Sequence, residues 1–102
     1  ILITFDENGF NPREVTIKKG DKVEGINKSS GDFWPASNIH PTHSLYPNSD
    51  IFKCLTPEEP DIFDACRPIA PGESYSFTFK YIGGWRYHDH LRASKIGVVR
   101  VE

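Results

Sequence analysis

Hydroxyl and aromatic residues alternate strictly through Ser74-Tyr75-Ser76-Phe77-Thr78-Phe79. Successive side chains on a strand point to opposite faces, so this stretch has one wet face and one aromatic face and reads as a half-buried strand. Tyr75, Phe77 and Phe79 are therefore expected in the core. The same period recurs in Glu14-Val15-Thr16-Ile17-Lys18, where Val15 and Ile17 face inward. Ile1 to Phe5, Lys22 to Asn27, Trp85 to His90 and Ile96 to Val101 complete a set of short strands. Asn8-Gly9, Lys19-Gly20-Asp21, Ala70-Pro71-Gly72-Glu73 and Ile82-Gly83-Gly84 supply the turns. Gly25 weakens its strand and points to a bulge or a close approach. No amphipathic helix of useful length appears, and residues 58 to 66 are expected to make only a short helical turn. Short strands between turn signals imply an all-β sandwich or barrel.

The 102 residues are expected to form a single domain, 1–102, whose core is adequate but not generous, so a covalent staple would help. Net charge is −2 with acids and bases interspersed, which argues against a nucleic-acid partner. Lys18, Lys19 and Lys22 form the one basic cluster, broken by Gly20 and Asp21, and read as a solvated turn. The chain has no signal peptide and no apolar run of membrane-spanning length. It begins at Ile1, already strand-like, which points to a mature or trimmed form; contact with a membrane would need an anchor outside this sequence.

Residues 28–68 break the strand pattern. The part up to residue 50 carries Ser29-Ser30-Gly31, Pro35, Pro41 and Pro47 and reads as loop. That is long for a structureless connection in a small domain, which makes it a functional candidate. Cys54 and Cys66 then bracket an acidic segment with two prolines. A disulfide here would constrain the unfolded chain by roughly 3 kcal/mol in the entropy model and would imply an oxidising compartment outside the cytoplasm. The alternative is two free thiols, one of them a metal ligand.

All four histidines lie in two tight clusters, His40-Pro41-Thr42-His43 and His88-Asp89-His90. Imidazole is the commonest protein ligand for borderline transition metals, and two pairs can complete one shell. On a strand, His88 and His90 point to one face. Pro41 stiffens the loop bearing the other pair and lowers the entropic cost of closing a site. His40, His43, His88 and His90 are thus candidate metal ligands; the competing reading is four surface or core histidines spaced by chance. A nitrogen-only set suits copper, with zinc as the rival. Asp89 should point away from its neighbours and act as structural support. Trp34, Trp85 and Tyr87 read as core or a hydrophobic rim, and Arg86 and Arg92 as partners of Asp89 or solvated.

Phe10-Asn11-Pro12, Val15 to Val23, Asn27, Pro71 to Phe79, Gly83 to Tyr87 and Gly97 to Val101, in that order, resemble a cupredoxin of the plastocyanin-like type. The resemblance covers nearly everything outside residues 28–68. It implies a Greek-key β-sandwich with copper at one end, between loops, in an extracytoplasmic setting (periplasmic, secreted or on the outer face of a membrane). Blue-copper members follow the tyrosine-bearing strand with Cys, His and often Met. On that pattern Asp89, Arg92 and Lys95 fill the ligand places, and the chain has no Met at all. A blue site would therefore need sulfur from Cys54 or Cys66. Trp85 to His90 is instead similar to the His-x-His strands of multicopper oxidases. The expected function is copper binding at a histidine-rich, type 2-like mononuclear site, serving electron transfer or copper handling with a redox or copper-delivery protein as partner. A small-molecule copper redox enzyme and a metal-free interaction module are the alternatives. Gly-x-Ser-x-Gly, His-Glu-x-x-His and phosphate-loop motifs are absent.

Overall fold

The period-two segments become strands in the computed structural model, which describes all of residues 1–102. They are β1 (Leu2–Asp6), β2 (Gly9–Asn11), β3 (Glu14–Ile17), β4 (Lys22–Asn27), β5 (Pro35–Ser37), β6 (Ser74–Thr78), β7 (Gly83–Asp89) and β8 (Arg92–Val101). Two four-stranded sheets form, with orders β2-β1-β4-β6 and β3-β8-β7-β5. β1 runs parallel to β4 and β3 parallel to β8, while the other pairings are antiparallel. The all-β sandwich expected from the alternation is the observed architecture.

The core between the sheets is aromatic. Phe5 stacks on Phe33 at 4.7 Å between ring centroids, and Phe10 meets Tyr87 edge-on at the same distance. Tyr46, Phe63, Phe77 and Phe79 form a second cluster of edge-to-face pairs. Such pairs contribute about 0.5–1.5 kcal/mol each beyond the area they bury. Phe77 and Phe79 are buried as expected, whereas Val15 and Tyr75 pack against the core while keeping some exposure.

Two local expectations are corrected and one open reading is decided. Residues 28–68 do not form one continuous loop: Pro35–Ser37 pairs with Tyr87–Asp89 as an edge strand, and a 3₁₀ turn forms at Ile51–Lys53, while the short helical turn expected within residues 58–66 is the 3₁₀ turn Glu59–Asp61. Three residues with a proline at their head are too short for a periodicity signal, and β5 gains its partners only in the fold, from β7 on one side and from residues 63–65 on the other. β8 starts at Arg92 rather than Ile96, because β7 and β8 make a hairpin turning tightly at His90-Leu91. The ligand loop that blue-copper members place there is therefore absent. Of the two readings of Gly25, close approach holds and the bulge does not: β4 keeps its register with both neighbours, and the Phe33 ring lies over the glycine, 3.7 Å from where a Cβ would stand.

Gly97 has a stricter reason to be glycine. It faces Tyr87 across the β7–β8 ladder, and a Cβ there would lie 2.5 Å from the tyrosine ring. The missing side chain lets the ring lie flat on β8 and reach the core, which anchors the strand that carries His88.

Candidate metal centre

The four histidines converge at one end of the sandwich, one ring nitrogen from each lying within 4.8 Å of the others. His40 Nδ1 approaches His88 Nε2 at 3.3 Å, and His43 Nε2 approaches His90 Nδ1 at 3.0 Å. A metal bound to imidazole at about 2.0–2.1 Å requires its ligand nitrogens to be roughly 3–4 Å apart; the two close pairs meet this, and the set as a whole, within 4.8 Å, is close to it.

The strand pair does not reach the site by simple alternation. A register shift between His88 and Asp89 ends the regular ladder, and His90 sits in the turn. Its backbone N–H donates to the Trp34 carbonyl at 2.7 Å, and its ring lies 4.7 Å from the Trp34 ring. Asp89 points away, as expected. Its carboxylate accepts from the backbone N–H groups of Trp34 and Leu91 and from Arg92. Asp89 and Arg92 therefore hold the hairpin turn, while Lys95 reaches toward the Glu7 carbonyl instead. Arg86 is exposed and makes no ion pair with Asp89.

The loop pair hangs from β5. The Asn38 backbone N–H donates to the Arg86 carbonyl, and the Asn38 carbonyl accepts from Leu45. The His43 N–H turns back to the Ile39 carbonyl at 2.6 Å. His43 adopts φ 59°, a left-handed conformation costing roughly 1–2 kcal/mol for a residue with a Cβ. The surrounding hydrogen bonds hold it there.

Two supporting residues were not visible in the sequence. Asp64, with its side chain fully buried, accepts from His43 Nδ1 at 2.6 Å through Oδ2. Its Oδ1 accepts from Trp34 Nε1 at 2.7 Å and from the Cys66 backbone N–H at 2.8 Å. Asn38 Oδ1 accepts from His88 Nδ1 at 2.8 Å. These contacts assign the proton of each ring to Nδ1 and leave Nε2 with its lone pair toward the cluster, the usual way proteins orient a ligating imidazole. In sequence, Asp64 is indistinguishable from its neighbours Glu58, Glu59 and Asp61. Asn38 lies two residues before His40, and that proximity was its only signal.

Burial lowers the His88 pKa to about 4, and the neighbouring His43, His40 and His90 rings add to the effect. His90 is lowered for the same reasons. His88 and His90 are thus held neutral at pH 7, the form a metal requires. His43 and His88 are buried, His90 is half-buried and His40 reaches solvent.

Sulfur is not on offer. Cys54 and Cys66 are joined in a disulfide, which disposes of the free-thiol alternative and removes the one thiolate source a blue site would have had. Trp34 forms a rim on the cluster, Trp85 packs at the edge of the core, and Tyr87 lies within it.

No protein-family model and no curated protein sequence matches the chain. Solved structures do. A purple cupredoxin from Nitrosopumilus maritimus superposes with a TM-score of 0.74 at 16% identity, covering 99% of this chain and 98% of that one. The reduced Cu(I) form of an amicyanin variant gives 0.72 at 19% identity, covering 100% of this chain and 81% of that one. The oxidised state of another amicyanin variant matches equally well, with a TM-score of 0.72. The fold is that of the cupredoxins.

Proposed function

We propose that this chain binds one copper ion through His40, His43, His88 and His90, as a type 2-like centre serving copper handling or electron transfer. The observation that carries the reading is the convergence of four imidazole nitrogens, two of them oriented by Asp64 and Asn38. The solved cupredoxin neighbours in copper-bound form support copper over zinc. Bound copper would supply one-electron exchange between Cu(II) and Cu(I).

The residues define what the site does around such an ion. His43 and His88, buried and hydrogen-bonded at Nδ1, present fixed donors. His40 and His90 are less restrained and complete the set from the solvent side. Trp34 covers one flank through its contact with His90. A carrier of this kind meets a redox or copper-delivery protein, and His40 is the candidate ligand exposed to one. The disulfide supports an oxidising, extracytoplasmic setting. Small-oxidant chemistry at the His40 side is the second reading, favoured by that same exposure.

An EPR spectrum with one equivalent of Cu(II), after loose metal is removed, tests the proposal. The expected spectrum is axial, with wide copper hyperfine splitting and nitrogen superhyperfine structure. A narrow-splitting spectrum would mean sulfur ligation and overturn the histidine-only site. Retention of Zn(II) with no Cu(II) would replace copper by zinc.

A further inference from the structure

We propose that the Cys54–Cys66 disulfide controls the histidine cluster through Asp64. The consequence for copper rests on the function proposed above, whereas the linkage itself belongs to the metal-free protein. Asp64 lies two residues before Cys66, and its carboxylate joins three parts of the chain. Oδ2 accepts from His43 at 2.6 Å, and Oδ1 accepts from both the Trp34 indole and the Cys66 backbone N–H. The sulfur-bearing residue and the buried histidine therefore hold opposite oxygens of one carboxylate.

The geometry next to the disulfide gives this linkage two settings. Cys66 has φ 61° and Leu55, beside Cys54, has φ 63°. Both are non-glycine residues in the left-handed region, which is unfavourable for any side chain with a Cβ. The covalent closure helps hold them there. With the closure open, Cys66 can relax toward negative φ together with a counter-rotation about Ala65 ψ. The two rotations are paired because the chain is pinned on both sides, by Ala65 N–H to the Pro35 carbonyl and by Ile69 N–H to the Phe33 carbonyl. That flip of the peptide between Ala65 and Cys66 turns the Cys66 N–H away from Asp64. Oδ1 then keeps only the Trp34 indole, and the carboxylate, its backbone still held by β5, loses one of the three bonds that fix its orientation toward His43. Both cysteines are half-buried, so a small reductant can reach them. The step is an ordinary thiol–disulfide exchange: a dithiol reductant delivers two electrons and two protons, the S–S bond breaks, Cys54 and Cys66 become thiols, and the reductant leaves as its cyclic disulfide. Reduction is expected to loosen His43 and lower metal affinity, and oxidation to restore both.

The first arm of the test uses metal-free protein, oxidised or reduced with dithiothreitol, and follows the His43 Nδ1–H proton by NMR. A resonance protected from exchange in the oxidised form and lost on reduction, with the sheet amides still protected, is the expected result. An unchanged resonance in protein shown by mass to be reduced would overturn the linkage. The second arm measures Cu(II) affinity in the Cys54→Ser/Cys66→Ser variant. Serine is used because Cu(II) oxidises paired thiols, each giving up one electron and one proton as the disulfide re-forms. A roughly 10–100-fold loss is expected, the range for removing support from a ligating histidine. The same double change should add little in an Asp64→Asn background, and full additivity would overturn the proposal. Should the reduced protein unfold, the coupling is read from the oxidised side. It is reciprocal, so Asp64→Asn is expected to shift the equilibrium with dithiothreitol toward the dithiol by roughly 5–150-fold, and an unshifted equilibrium overturns it. If the oxidised wild-type protein binds no Cu(II), the copper reading fails while the NMR arm still decides the linkage.

Discussion

The two histidine pairs meet at one point but arrive by different physical routes. His88 and His90 come from the β7–β8 hairpin, whose place follows from ladder hydrogen bonds, the bulge after His88 and the Tyr87 ring lying on Gly97. His40 and His43 come from a segment with almost no ladder of its own. Three-residue β5, the left-handed turn at His43 and the buried bond to Asp64 place them. Yet each pair supplies one buried imidazole with an assigned proton and one that is more open. A strand positions a ligand through its own backbone, whereas a loop must borrow rigidity from side chains and covalent closure.

The comparison breaks most sharply at the buried members. His43→Ala and His88→Ala are each expected to weaken Cu(II) binding by more than the roughly 10–100-fold that loss of a supporting group costs, as read by competition titration. Equal retention of copper in either variant would remove that histidine from the site. Gly97→Ala attacks the hairpin alone. Its Cβ cannot coexist with the Tyr87 ring, and overpacking of this kind costs about 1–3 kcal/mol. For a domain of this size each kcal/mol lowers the melting temperature by roughly 4–8 °C. A melting temperature unchanged in the variant would show that β7 does not rely on this contact.

His40→Ala separates open from buried ligands. Its loss of affinity is expected to be smaller than that of His43→Ala, with a vacated solvent-side position that takes up azide, seen as a change in the Cu(II) EPR spectrum. An affinity loss as large as that of His43→Ala would erase the distinction. The smallest expected effect is on pH dependence. His88 has a folded-state pKa of about 4 against about 6.5 when unfolded, so between these values the unfolded chain binds the extra proton. Metal-free stability should therefore be full above about pH 6.5 and decline as pH falls toward 4. Urea unfolding across that range measures the slope, which should flatten in His88→Gln. Copper, competing with protons for the same nitrogen, should be retained by His88 to correspondingly low pH.

Legibility in the sequence divided along the same line as the two pairs. The Ser74 to Phe79 alternation, the Lys22 to Asn27 strand and the turn glycines carry local signals, so their structures could be read residue by residue. β5 could not, because three residues have no period and its hydrogen bonds come from β7 and from residues 63–65, both far along the chain. The histidines were legible as candidates because their type and clustering are rare in so short a chain. Asp64 and Asn38 were not, because a supporting role depends only on which buried ring lies opposite. For Cys54 and Cys66 the sequence left two readings open, and the fold brings their Cα atoms to 5.4 Å with the sulfurs joined.

Composition and order alone thus determined an all-β chain with two histidine pairs and no thioether, since strand period and residue chemistry are local properties. Tertiary structure alone decided that the pairs face each other, that His43 and His88 are buried with Nε2 toward the cluster, and that the cysteine-bracketed segment ends on the carboxylate behind His43. Those outcomes depend on contacts across 21 to 50 residues of chain, and no local pattern encodes them.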